Sequence, residues 1–243
     1  AADRNPFERI IREGLPFNQM SAQYTIVGAA GRGGFGGACG KILLVSCNNS
    51  PSRPACSSSL DRPRPPAYTA PMNLVTGATG LLGSHLCEQL VQRGQPVRAL
   101  VRRSSDTAFL ESLGVETAYG DITDPSSLPA ALKGVRIVYH AAARVGDWGP
   151  WDEFVAISIR GTDNMLKAAA AAGVERFLHI SSISAYGHPD GAGLVLDETA
   201  PLGQDLHRWS YYSRAKVQAE RLVWAAHQRG DLPITVCRPS WLY

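Results

Sequence analysis

Three glycines spaced three apart, in the stretch Met72-Asn73-Leu74-Val75-Thr76-Gly77-Ala78-Thr79-Gly80-Leu81-Leu82-Gly83, constrain the fold of this chain more than any other feature. The apolar run before them reads as a buried strand, and the residues from Leu81 to about Arg93 read as a helix. Strand, glycine turn and helix in that order form the local geometry in which free N–H groups and the helix dipole receive a pyrophosphate. Gly77 is expected to make the tight turn, Gly80 to let backbone approach the phosphates, and Gly83 to let helix pack closely on strand, with Leu81 and Leu82 opening the helix. Glycine-rich turns also serve simply to reverse a chain, so the flanking strand and helix carry the dinucleotide reading.

From Met72 onward strands and helices alternate with short connections, the pattern of a parallel sheet covered on both faces. Strands are expected at 72–76, 96–101, 115–119, 135–140, 175–181 and 233–238, and helices at about 82–93, 105–113, 125–132, 151–172 and 209–229. The fold class is therefore α/β, a Rossmann-like doubly wound sheet of order 3-2-1-4-5-6, with its ligand crevice at the carboxyl ends of the strands.

Residues 1–71 read differently. No acidic residue occurs from Gly14 to Leu60, and a glycine-rich patch, Gly28 to Gly40, passes into a Ser/Pro/Arg-rich run, Asn48 to Pro71. Such composition rarely packs. The patch Ile26 to Gly34 can be forced into a phosphate-loop spacing, but no amphipathic helix follows it. The two expected regions are thus a low-complexity basic extension, 1–71, and a dinucleotide-binding domain, 72–243. The extension resembles an organellar transit leader without a clear basic amphipathic helix, or an extension ahead of a natural start at Met72.

The charge of +3 lies in that extension, where eight Lys/Arg face four Asp/Glu; residues 72–243 carry sixteen against seventeen. The main domain has no basic signature for nucleic acid. No apolar run approaches the roughly 20 residues of a membrane helix. Five cysteines form neither a CxxC pair nor an even set, which reads as reduced thiols in an intracellular protein, cytoplasmic, or organellar if the extension is a leader.

Several positions carry chemistry. The second strand ends in Arg102-Arg103 where an NAD-binding protein usually places an acid, and an arginine there favours the 2′-phosphate of NADP; a solvated surface pair is the alternative. Asp121 and Ile122, after the third strand, lie where an adenine would sit. Ala141, Ala142 and Ala143, after the fourth, offer small side chains against which a cofactor can lie. Tyr212 and Lys216 are four apart on an expected helix, hence on one face, so the ammonium can lower the phenol pKa and make Tyr212 an acid/base near neutral pH. Tyr211 is rotated off that face. A serine from Ser181-Ser182-Ile183-Ser184-Ala185-Tyr186-Gly187 can hydrogen-bond the substrate oxygen.

With these motifs in view, residues 72–243 resemble the extended short-chain dehydrogenase/reductase family, also called the NAD-dependent epimerase/dehydratase family. TGATGLLG, HAAA, SSISAYG, YSRAKVQAE and CRPSWLY are similar to its successive motifs. The resemblance implies Ser182, Tyr212 and Lys216 as catalytic residues, with Lys216 also binding the nicotinamide ribose and Pro239 and Ser240 lining the cofactor. The loop Arg144 to Trp151 resembles the 3β-hydroxysteroid dehydrogenase and sterol-4-carboxylate dehydrogenase branch, with dihydroflavonol reductases as neighbours. It implies a hydroxyl or ketone on an apolar small-molecule substrate, with Trp148 and Trp151 as walls or as ordinary packing.

The expectation is an oxidoreductase using NADP, with NAD as the alternative, as a homodimer or a subunit of a larger assembly. Its rivals are a nucleotide-sugar epimerase or dehydratase and a non-catalytic NADP-binding subunit. Two departures from the family pattern stand out. Ser158 replaces the usual asparagine three before Gly161-Thr162, and the C-terminal substrate region of the family does not follow the sixth strand.

Overall fold

The computed structural model describes residues 72–146, 148–189 and 195–240. Everything expected of residues 1–71 lies outside the described residues. Within them the chain runs β1 (Met72–Thr76), α1 (Leu81–Gln92), β2 (Val97–Val101), α2 (Ala108–Ser112), β3 (Glu116–Tyr119), α3 (Leu128–Leu132) and β4 (Val135–His140). It continues through α4 (Trp151–Phe154), α5 (Gly161–Ala171), β5 (Arg176–Ile180), α6 (Tyr211–Gln228) and β6 (Ile234–Cys237). The six strands form one sheet of order β3-β2-β1-β4-β5-β6, as expected, and all five pairings are parallel.

A parallel sheet is buried on both faces, so its central strands are buried along most of their length rather than alternating, with Asn73, Thr76, His140 and His179 as buried polar members. Leu74, Val75, Ala99, Val138, Phe177 and Leu178 are all buried in strands. Helices cover them with matched faces: α1 buries Gly83, Leu86, Cys87 and Leu90, the three- and four-residue spacing of one helical stripe. The core of Leu74, Leu132, Val138, Met165, Phe177 and Val223 joins strands to α3, α5 and α6. Each such side chain contributes about 1.5–3 kcal/mol on burial.

One expected helix is continuous but not uniform. The stretch read as 151–172 contains a π-helical segment, Val155–Arg160, between α4 and α5. The wider turn separates two parts of the helix that answer to different partners. Phe154 packs edge-on against Tyr211 of α6, while Gly161 admits Ile122: a Cβ there would lie 2.6 Å from the Ile122 side chain. A second addition is a 3-10 turn at Ile183–Tyr186, capped by Ser182 Oγ accepting from the Ser184 N–H.

Residues 195–200 are a separate short piece, in which Asp197 Oδ1 accepts from both the N–H and the hydroxyl of Thr199.

Candidate cofactor and active site

The loops leaving the carboxyl ends of the strands enclose a cleft of about 1050 Å³. Its floor is the glycine turn. Gly77 has a φ of +68°, and a Cβ on it would lie 2.8 Å from the Ala142 nitrogen, so both conformation and crowding demand glycine. A Cβ on Gly83 would lie 2.1 Å from the Gly77 carbonyl oxygen, so α1 abuts the turn directly. Gly80 instead faces the cleft, its added Cβ meeting only that same oxygen at 3.3 Å. It is the N-cap of α1, with no side-chain cap and no acidic residue in the first turn. An uncapped helix start lined by Gly80, Leu81 and Leu82 suits the pyrophosphate of a dinucleotide.

The adjoining walls hold the other residues singled out by sequence. Arg102 lines the cleft, while Arg103 turns away, its guanidinium 5.4 Å from the Tyr119 ring centre. Asp121 and Ile122 follow β3. Ser127 Oγ accepts from the Asp121 N–H, Asp121 Oδ1 accepts from Thr123, and Asn164 Nδ2 donates to the Ile122 carbonyl. Ala141, Ala142 and Ala143 line the cleft beyond β4, and Pro239 and Ser240 beyond β6. Ser105, one turn past Arg102, also reaches the cleft and was not singled out by sequence.

A buried, directed chain of hydrogen bonds fixes the floor. Thr162 Oγ1 donates to the Ser158 carbonyl, so it must accept from His140 Nε2–H. The neutral ring then accepts at Nδ1 from Thr76 Oγ1, which in turn accepts from the Ala142 N–H. Burial pushes the His140 pKa down to about 3, which keeps the ring neutral, and the Thr162 bond selects the tautomer. His179 stacks on His140, ring centres 5.6 Å apart, and neither of its nitrogens has a hydrogen-bond partner. Ser158, the departure from the family pattern, accepts from the Arg144 N–H and so anchors the chain just past the three alanines.

Tyr212, Lys216 and Ser182 line the same cleft, with Tyr211 outside it against Trp151 and Phe154. Lys216 is only 5% exposed, donates from Nζ to the Ile180 carbonyl at 2.9 Å, and lies 5.8 Å from the Tyr212 ring centre. Burial lowers its pKa to about 8, with Glu220 opposing the shift. Glu220 and Arg238, missed by sequence, form an ion pair whose carboxylate is fully buried. The signal was present, since Glu220 repeats the four-residue step from Tyr212 to Lys216. Neither tryptophan of the 144–151 loop lines the cleft: Trp148 is 84% exposed, and Trp151 stacks on Phe154 and under the Arg214 guanidinium. Ordinary packing accounts for Trp151. From that loop, Arg144, Val145 and Gly146 reach the cleft instead.

A doubly wound sheet with an uncapped glycine turn under a Tyr-Lys helix defines a Rossmann-type nucleotide-binding domain of the short-chain dehydrogenase/reductase kind. The chain belongs to the NAD dependent epimerase/dehydratase family, whose pattern it matches over residues 73–243. It is 41% identical to sterol demethylase protein B of Methylococcus capsulatus, the match covering 69% of this chain and 50% of that protein. It is 35% identical to a 3 beta-hydroxysteroid dehydrogenase/Delta 5-->4-isomerase of Mycobacterium tuberculosis, over 70% of this chain and 46% of the other. Among solved structures it is 31% identical to an NAD-bound short-chain dehydrogenase/reductase superfamily protein from Agrobacterium tumefaciens, with a TM-score of 0.58, over 69% of this chain and 48% of that one. The chain spans about half the length of the curated relatives it matches. Its cofactor class is a nicotinamide dinucleotide. Among the described residues, no helix is long and apolar enough to cross a membrane.

Proposed function

We propose that this chain carries the cofactor-binding and proton-transfer part of an NADP-dependent oxidoreductase acting on a secondary alcohol or ketone of an apolar substrate. The observation that carries the reading is the convergence of Ser182, Tyr212 and Lys216 in one cleft with the glycine turn. The nicotinamide would supply or accept the hydride at the substrate carbon. Tyr212 would exchange the proton at the substrate oxygen. The ammonium beside its ring favours the phenolate, and Ser182 Oγ would donate to the same oxygen as charge develops there. The Lys216–Ile180 bond holds that ammonium at the strand end, in reach of a ribose. Arg102 in the cleft supports a 2′-phosphate, and the sterol- and steroid-directed names of relatives support an apolar substrate.

A second reading, sugar-nucleotide epimerase or dehydratase, draws on a dTDP-glucose 4,6-dehydratase from Streptomyces venezuelae solved with NAD and TYD bound. It is 27% identical, with a TM-score of 0.61, over 69% of this chain and 55% of that one. The test is a parallel assay of NADPH oxidation with sterol and alkyl ketones and of epimerisation or dehydration of UDP- and dTDP-sugars. Turnover of ketones with silence on sugars is expected; the reverse pattern overturns the first reading.

A further inference from the structure

The helix that carries Tyr212 and Lys216 grips the end of β5 at two consecutive residues with opposite polarity. Lys216 Nζ donates to the Ile180 carbonyl at 2.9 Å; one turn on, Glu220 Oε2 accepts from the Ser181 hydroxyl at 2.6 Å. Glu220 has 0% exposure, and its carboxylate also accepts from Trp224 Nε1 and from the Arg238 guanidinium, which donates onward to the Tyr186 hydroxyl. Ser181 N–H and Ile183 N–H donate to the carbonyls of Cys237 and Pro239, so the backbone on both sides of Ser182 is pinned from the β6 side as well.

We propose that Glu220 is a positioning residue of this site: it anchors Ser181 beside Ser182 and, one helical turn from Lys216, holds that side chain in its ammonium form. The inference rests on the proposed role of Lys216 in binding the cofactor. A buried ammonium is penalised by desolvation, and the groups facing Lys216 decide whether it keeps its proton. From α6 these are Tyr212 and Glu220; from β4 and β5 they are His140 and His179, which burial keeps neutral. Glu220 is the anion among them. Arg238, just past β6, opposes it by neutralising that anion.

The two partners therefore have opposite effects on Lys216. NADPH affinity of the present chain, titrated by fluorescence from about pH 6.5 to about pH 9.5, is expected to fall above about 8 as Lys216 loses its proton. Glu220→Gln should move that fall down by about one pH unit or more, with affinity at the acid end within about threefold of wild type. Arg238→Gln should move it up. The opposite displacement keeps the test decisive should Glu220→Gln fail to fold. Equal loss of affinity at every pH, or an unmoved profile in whichever variant folds, overturns the inference. Lys216→Met is the control: wild-type NADPH affinity in that variant overturns the site reading itself, a result distinct from failure of the Glu220 variants.

Discussion

Thr76 Oγ1 donates to His140 Nδ1 at 2.8 Å, tying the last residue before the glycine turn to the last residue of the neighbouring strand. The floor of the cleft is thereby one hydrogen-bonded unit spanning β1, β4 and α5, and changes to it are felt as stability as well as binding. The unit is set by neutral histidine. Burial holds His140 near 3 and His179 well below its ordinary value, whereas the unfolded chain protonates both below about 6.5. The unfolded state then binds more protons, so stability is full above about 6.5 and is lost as pH falls toward about 3. Each histidine adds about 1.4 kcal/mol per pH unit to the slope in mid-window. His179→Phe should remove about one proton's share, measured by denaturant unfolding at several pH values; an unchanged slope contradicts it.

The glycines of the turn separate by what surrounds them. Gly83→Ala drives a methyl into the Gly77 carbonyl, where the backbone must shift, and should cost about 1–3 kcal/mol of stability along with cofactor binding. Gly80→Ala meets only the Gly77 carbonyl oxygen, at 3.3 Å, and should cost about 1 kcal/mol or less of stability while weakening NADPH more than tenfold. Melting and cofactor titration on the two variants distinguish these outcomes.

Arg102 and Arg103, adjacent in sequence, should differ in effect. Arg102→Ala is expected to weaken NADPH by about 1.5–3 kcal/mol, roughly tenfold to a hundredfold, and leave NADH nearly unchanged. Arg103→Ala, whose guanidinium lies over Tyr119, should alter neither by more than about twofold. Equal wild-type affinity for the two cofactors removes the NADP assignment.

On an active form of the enzyme, Tyr212→Phe should abolish turnover with cofactor affinity retained, and Ser182→Ala should lower the chemical step by about a hundredfold or more. Lys216→Met should impair both binding and turnover. Substantial activity in Tyr212→Phe would show that the proton donor lies elsewhere.

A chain beginning at Met72 should melt within a few degrees of the whole chain, since the core among the described residues runs from Met72 to Val236. Aggregation of that shorter chain alone would place the domain boundary earlier.

The strand order and the cleft lining were legible because most strands are short, largely apolar runs closed by a turn, and because doubly wound sheets gather their loops at one edge. The Tyr212–Lys216 face followed from helical spacing. What escaped notice depends on contacts between distant segments: the His140 chain crosses from residue 76 to residue 162, and Arg238 meets Glu220 across 18 positions. Of the two readings open for the tryptophans, wall or packing, Trp151 takes packing, because Phe154 and Arg214 are its neighbours in space, while Trp148 stays 84% exposed.

The π-helical segment Val155–Arg160 acts as a phase adjuster between two such neighbourhoods. One residue of α-helix turns about 100°. Winding the same residues as α-helix throughout would swing Gly161 and Thr162 by about that angle relative to Phe154. Thr162 would lose His140, Gly161 would no longer admit Ile122, and the cleft walls at Ile122 and Thr76 would fall out of register with the face that bears Tyr211. The surplus residue thus works as a gear offset, letting one continuous helix serve two walls whose spacing ordinary helical pitch does not match.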